Sequence, residues 1–421
     1  MTPPARPAKS EENERVTAYA WRLLIFLTAL NILNFVDRSL IASLAPLLIA
    51  DLGLTRAQIG LLAGFSFVFF YSFVGLFLGV AADRYRRIPL VSAGLALWSA
   101  MTALSGWAKS FAQLAIPRVF VGVGEATLTP ASLSMLGDSF PPRRLAMATG
   151  VYYAGIPLGS ALSLIASSWI APRYGWRTCF YVLGVLGVVA AAGLLLYREP
   201  PRRGATNATR PSLRGLAGEV LAALRSRHEL FLALLGGSML VYGSGSALLV
   251  VTWLVEERGY VYSRAAFLAG VVAVSAGFLG NLAGGAFGDR FARRYSNGHL
   301  RSLIPMTLFF MPATLGFYTA KPGSPVFFFC WFLAAAGNSA YFGPLFASLQ
   351  ELAPARTRST VIAFALLVMN LLGVGPGPLV TGWLGDVRSL SFGLMSSQAI
   401  VLLAIVPFAL ALRSRRAPAE F

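Results

Sequence analysis

Charge is what this sequence has least of. Only 12% of its 421 residues are charged, about half the share of a soluble globular domain. Apolar residues make up 56%, so polar side chains are too few to cover a water-facing surface. A bilayer must be the solvent for much of the chain. Histidine and cysteine are equally scarce, two of each. Cys179 and Cys330 fall in or beside apolar segments, with no CxxC spacing and no histidine near them, which excludes a metal or redox site built on them. They read as small buried apolar residues. A Walker A loop is missing, no Ser/His/Asp set can be drawn, and no metal cluster appears. An enzyme is therefore not expected, nor is a cofactor. The net charge of +18 would point to nucleic acid in a soluble protein. Here the basic residues sit in short segments between apolar runs, so topology accounts for them and no nucleic-acid partner is expected. The first twenty residues are polar and lack an apolar core, so the first span is expected to serve as an uncleaved insertion signal.

A helix needs about 20 residues to cross a hydrocarbon core of about 30 Å. Apolar runs between charged or Pro/Gly breaks predict spans near 21–49, 57–82, 88–108, 111–136, 144–170 and 177–197. After a polar stretch come 230–255, 265–288, 301–320, 325–350, 359–384 and 389–412. Twelve spans put both termini on one side. The N-terminal segment, the even-numbered loops and the tail hold 25 Lys/Arg, the opposite loops 8. The positive-inside rule therefore makes the terminal side cytoplasmic, with a bacterial inner membrane as the expected location.

Segment 198–229 is the only long polar linker and divides the chain into bundles at 21–197 and 230–412, with cytoplasmic ends 1–20 and 413–421. Inside it, Leu213, Leu216, Ala217, Val220 and Leu224 share one helical face, a pattern for a short interfacial helix, while the Pro and Gly content equally suits a disordered basic linker. The halves repeat each other. Gly79-Val-Ala-Ala-Asp83-Arg84-Tyr-Arg86-Arg87 follows span two, and Gly285-Ala-Phe-Gly-Asp289-Arg290-Phe-Ala-Arg293-Arg294 follows span eight. Two six-span halves with a repeated loop predict an all-α membrane protein of two pseudo-symmetric six-helix bundles. The chain here resembles the major facilitator superfamily, whose signature loop reads Gly-x-x-x-Asp-Arg-x-x-Arg. Gly79, Asp83, Arg84 and Arg87, with Asp289, Arg290 and Arg294, are then candidates for loops that bond across the half-to-half seam in one state and release in the other. Snorkelling at a membrane edge is the plainer reading of the same charges.

Of the 17 acidic residues only Asp37 and Glu125 fall in the middle of spans, and only Arg38 and Arg118 among the basic ones. A charge at the bilayer centre costs about 2.5–3.5 kcal/mol on insertion scales. Arg118 and Glu125 share a helix face, whereas Asp37 and Arg38 point about 100° apart. Asp37 is expected to face the cavity while Arg38 turns to a neighbour. Burial raises a carboxyl pKa and a nearby guanidinium lowers it, so an acid that gains and loses an arginine partner would carry a proton across. His228 and His299 lie outside the predicted spans and cannot take that role. A permanent ion-pair network locking spans one and four is the alternative.

Span one reads Leu33-Asn34-Phe35-Val36-Asp37-Arg38. Span four reads Arg118-Val-Phe-Val-Gly122-Val-Gly124-Glu125-Ala126, followed by Gly137-Asp138-Ser-Phe. Together these resemble the Spinster family of lysolipid and sphingolipid transporters. The resemblance implies that Asp37 and Glu125 are the proton-linked acids, Arg118 their switching partner, and Arg38 a supporting charge or headgroup contact. Gly150, Gly155, Pro157 and Gly159 in span five partly resemble the superfamily's antiporter motif, without its Gly-Pro pair. In the second half Tyr242, Asn338, Tyr341 and Asn370 are the candidate cavity residues, polar but uncharged among many Phe and Leu. A charged half facing an apolar half suits an amphiphile.

The expectation is a proton-coupled secondary transporter of lysophospholipid-like or sphingoid amphiphiles, working by alternating access. Its partners would be the membrane lipid or lysolipid substrate and protons, with no protein partner required and the chain acting as a monomer. A proton-coupled symporter of a small organic anion and a passive lipid pathway without proton coupling are the alternatives, as is a non-transporting sensor.

Overall fold

The computed structural model describes residues 16–202, 222, 224, 225, 227–354 and 358–414. Twelve helices among them are long and apolar enough to cross a membrane. The first six are α1 Ala18–Leu52, α2 Arg56–Gly75, α3 Arg87–Ser105, α4 Phe111–Ser139, α5 Arg143–Tyr174 and α6 Trp176–Leu194. The second six are α7 His228–Glu256, α8 Tyr262–Arg294, α9 Gly298–Thr319, α10 Pro325–Leu352, α11 Val361–Val387 and α12 Leu390–Ser414. The backbone of α2 stays helical to Arg84. Each helix overlaps one predicted span. While α3 and α6 stop three residues short of the predicted ends, most run past the span at one end or both, because polar end turns continue the backbone ladder beyond the apolar stretch. For that reason His228 and His299 fall in the first turns of α7 and α9 rather than outside them. The predicted interfacial stripe over 213–220 and the side chains of Asp83 and Arg84 lie outside what is described, and of Gly79 only the helical backbone is described.

Local chemistry sets the ends. Thr17 caps α1 by accepting from the N–H of Ala20 at 3.2 Å. Gly53, with φ of 63°, stops α1 in the left-handed conformation, which a residue without Cβ adopts at no steric cost. Two residues later Thr55 and Gln58 form a capping box that starts α2. The chain thus reverses within Gly53–Thr55.

Helices α1–α6 form one bundle and α7–α12 the other. Their seam has two different ends: the terminal face, where α1 begins at Ala18 and α12 ends at Ser414, and the far face. Inter-bundle packing falls on far-face segments: residues 155–174 of α5 on α8, 56–65 of α2 on 376–387 of α11, and 247–256 of α7 on α1. The buried apolar clusters say the same. One cluster is shared by both bundles, with Leu44, Leu48, Ile59 and Trp176 beside Trp253, Leu254 and Phe327. The other two belong one to each bundle, around Leu23, Trp98 and Met135, and around Leu230, Leu349 and Phe408. The core is continuous across the seam at the far face and divided toward the terminal face.

Where α2 meets α11 both helices are irregular. Leu61–Phe65 and Asn370–Val374 are π-helical and touch each other. Such widened turns are frequent at functional sites. Backbones approach closely there: a Cβ on Gly60 would stand 2.3 Å from the Pro378 carbonyl oxygen, and one on Gly382 2.3 Å from that of Arg56.

Candidate functional site

The centre of the first bundle is built by α1, α2, α3 and α4. Two glycines let α4 in. A Cβ on Gly122 would lie 3.2 Å from the Phe67 carbonyl of α2, and one on Gly124 2.6 Å from the Gly94 carbonyl of α3. The helical run then pauses after Glu125 and resumes at Leu128. This close approach brings Arg118 and Glu125 against α1, where Asp37 and Arg38 stand.

Asp37 is 1% exposed. Its Oδ1 lies 3.3 Å from Arg118 Nη1, and Thr102 of α3 donates its hydroxyl to Oδ2. Arg118 Nη2 donates to the Arg38 carbonyl at 2.8 Å, and Nη1 also reaches the Asp37 carbonyl at 3.4 Å. A guanidinium that deep is tolerable only with such a set of acceptors. The expected orientation of the Asp37–Arg38 pair is reversed. Asp37 turns into the bundle, because α3 and α4 supply its donors. Arg38 is the half-exposed member, its guanidinium over the rings of Phe67 at 4.8 Å, Tyr71 at 5.0 Å and Phe35 at 5.4 Å. Aromatic faces stand in for water around a cation whose long stem reaches the edge of the site. Arg118 lies over the same Phe67 ring at 4.6 Å. Arg38 makes no ion pair among the described residues.

Glu125 is the contrasting carboxyl. It is 1% exposed, and among the described residues neither of its oxygens meets a donor in good hydrogen-bond geometry; Asn34 Nδ2, which faces it, and Arg118 Nε are equally without an acceptor. Buried polar atoms are normally satisfied, and an unpaired carboxylate is among the costliest exceptions. Glu125, Asn34 and Arg118 thus keep unused bonding capacity at one spot in the membrane, where a proton or a ligand could be taken up.

The loop residues fall into two kinds. Arg87 is fully buried and works inside the first bundle. It pairs with Asp138 of α4, holds Glu199 Oε1 through Nε at 2.9 Å, and donates to Ser134 at 2.9 Å and the Pro200 carbonyl at 2.8 Å. Burial alone would raise the Glu199 carboxyl, but hydrogen bonds from the Arg87 side chain and from the backbone of Arg87 and Ile88 outweigh it and hold it below the usual glutamate range. In the second copy Asp289, Arg290 and Arg294 are exposed. Asp289 meets His299 Nε2 at 3.3 Å, and His299 Nδ1 meets Glu351 at 2.6 Å. None of these contacts crosses the seam.

The contacts that do cross it carry charges passed over by the sequence reading. Arg56 Nε lies 2.7 Å from Glu256, and its Nη1 3.6 Å from Asp386. The Asp386 carboxylate also accepts from the backbone N–H groups of Arg56 and Ala57, both at 2.9 Å, and so caps α2 from the opposite bundle. A Thr-Arg at a helix start was the available signal; nothing in a sequence joins residues so far apart.

In the second bundle Asn338 accepts from Ser244 at 2.9 Å, and the Tyr341 hydroxyl bonds Ser244 and the Leu240 carbonyl. These bonds tie α7 to α10. Tyr242 is buried with its hydroxyl unbonded, and Asn370 opens the π-helical turn of α11.

The family profile described as Major Facilitator Superfamily matches residues 27–378. An MFS-type efflux pump of Mycolicibacterium smegmatis is 31% identical over 388 residues, which is 92% of this chain and 89% of that protein. A hexuronate transporter of Bacillus subtilis is 27% identical, covering 86% of this chain and 87% of its own. Protein spinster of Drosophila melanogaster is 26% identical, covering 87% of this chain and 62% of its own. A crystal structure of a bacterial homologue of the human lysosomal transporter Spinster, inward-facing and unoccupied, superposes with a TM-score of 0.83 at 24% identity, covering 96% of this chain and 100% of that one.

Proposed function

This chain belongs to the Major Facilitator Superfamily, and we propose that it is a proton-coupled, Spinster-like transporter of lysophospholipid-like or sphingoid amphiphiles. The observation that carries the reading is the unequal division of charge. All four mid-membrane charges lie in α1 and α4, and one of them, Glu125, is buried without a well-formed hydrogen bond among the described residues. The second bundle offers Ser244, Asn338 and Tyr341, already bonded to one another, and apolar side chains. A headgroup at Arg38 and a tail against the second bundle use both surfaces. Protonation of Glu125 and exchange of Arg118 between Asp37 and Glu125 would link the rocking of the bundles to a proton. The far-face seam is closed here, so the substrate route would run to the terminal face, which the charge distribution makes cytoplasmic.

The test is uptake of a labelled lysophospholipid into proteoliposomes with and without a pH gradient, for wild type and Glu125→Gln. Gradient-stimulated flux that vanishes in the variant supports the reading. Flux indifferent to the gradient removes the coupling. A second reading, symport of a small organic anion, is favoured by Arg38, which makes no ion pair among the described residues, and by the hexuronate relative. Gradient-driven uptake of a hexuronate with no lipid flux would establish it instead.

A further inference from the structure

At the far face a cleft of about 570 Å³ opens between α5 and α8, lined by Ile165, Ser168, Trp169 and Arg173 on one side and Ser263, Arg264 and Phe267 on the other. It lies on the seam, because α5 belongs to one bundle and α8 to the other. One turn further along, the two helices approach closely: a Cβ on Gly270 would stand 3.1 Å from the Ala161 carbonyl. Its rim is apolar and turned outward: Trp169 is 55% and Phe267 47% exposed. In a membrane protein, surface of that kind faces acyl chains, and tryptophan marks the headgroup level.

Two arginines give the cleft its positive charge. Arg173 lies over the Trp169 ring at 4.7 Å and donates to the Trp169 carbonyl at 2.9 Å; Arg264 lies over Tyr260 at 5.9 Å. Neither makes an ion pair among the described residues, whereas Arg177, in the first turn of α6, is paired with Asp51 at 2.7 Å. Arg264 sits in the first turn of α8, a helix of 33 residues whose N-cap, Val261, gives no side-chain cap. The first N–H groups of that helix therefore add their partial positive charge at the same place.

We propose that this cleft binds an anionic glycerophospholipid, its phosphate held between Arg173 and Arg264 and its acyl chains on Trp169 and Phe267. A membrane lipid fits better than a soluble anion because the apolar rim would otherwise face water at the headgroup boundary. Bound there, the lipid touches both bundles and favours the far-face-closed state, independently of what the central site transports.

The experiment is native mass spectrometry of the whole protein in detergent with added phosphatidylglycerol or phosphatidylethanolamine. Wild type, Arg173→Gln/Arg264→Gln and the control Arg388→Gln, an exposed arginine on the same face, are compared after elution profiles show each to be folded. Wild type and control are expected to retain phosphatidylglycerol in preference to phosphatidylethanolamine. Each cleft arginine removed lowers retention about fivefold, the usual worth of one basic side chain at an anionic lipid surface. Equal retention of the two lipids by wild type, or a double variant that retains phosphatidylglycerol as wild type does, overturns the proposal. Displacement of the lipid by millimolar glycerol phosphate would show that a soluble anion suffices, and would overturn the choice of lipid.

Discussion

Arg118 reaches Asp37 at 3.3 Å, yet its own Nε and both oxygens of Glu125, further along the same helix, are left without hydrogen bonds. One guanidinium is thus committed to one carboxyl with capacity left for another. That asymmetry separates two acids that a sequence presents as equivalent.

Asp37→Asn leaves Arg118 buried without its counter-charge. Breaking a buried pair from one side costs about 3–5 kcal/mol, so the thermal midpoint in detergent should fall clearly. Asp37→Asn combined with Arg118→Met removes both charges and should recover much of the loss. A single variant as stable as wild type would mean the pair does not hold α1 to α4.

Glu125→Gln removes no hydrogen bond. Its stability should stay within about 0.5–1 kcal/mol of wild type, while gradient-driven uptake falls to the level without a gradient. Substrate counterflow should persist, because the amide imitates the neutral acid. Loss of stability matching that of Asp37→Asn would make Glu125 part of a structural lock.

The twelve spans were legible because apolar runs of helical length stand between charges, and the bilayer demands both. The pairing of the bundles was legible from the repeated loop. Orientation within the site was not: a helical wheel fixes the angle between Asp37 and Arg38 but not which one faces the neighbours. Donors on α3 and α4 decided that, and Thr102 looks like any other threonine in a sequence. Arg87 was singled out for its motif, and its partner Asp138 lay in another quoted motif, but Glu199 read only as a linker charge. The Arg56–Asp386 contact had no local signal, since both residues look like ordinary charges at a membrane edge.

Asp386→Ala should loosen the far face. It removes an ion pair and a charged cap on the N–H groups of Arg56 and Ala57, both held at 2.9 Å. Caps of this kind are worth about 1 kcal/mol, enough to shift a two-state population roughly fivefold. Spin labels at Tyr174 and Val387, exposed at the far face on opposite bundles, would report it. A larger fraction of long distances is expected in the variant, and an unchanged distribution would show that Asp386 does not hold the seam.

Gly60→Ala acts on the same seam by steric means. The added Cβ would meet the Pro378 carbonyl oxygen at 2.3 Å, a backbone atom that cannot swing aside. The same label pair should lengthen more than with Asp386→Ala. Combined, the two substitutions should give less than the sum of their effects, because both open one contact. Strict additivity would place them in separate structural units.

Glu199 gives the clearest dependence on pH. Arg87 and two backbone N–H groups hold its carboxyl below the usual range, against the opposing effect of burial. In the unfolded chain the carboxyl returns to its ordinary value. The folded state therefore gains stability from the ionised form at every pH above that value, and loses the gain as the pH falls through the lowered one. The thermal midpoint should drop on acidification in wild type and less so in Glu199→Gln. At neutral pH the variant should be less stable by about 1.5–3 kcal/mol, the worth of hydrogen bonds to a charged group. Equal acid sensitivity in both would mean that other carboxyls dominate, and that the Arg87 anchor between α3 and the segment after α6 owes little to Glu199.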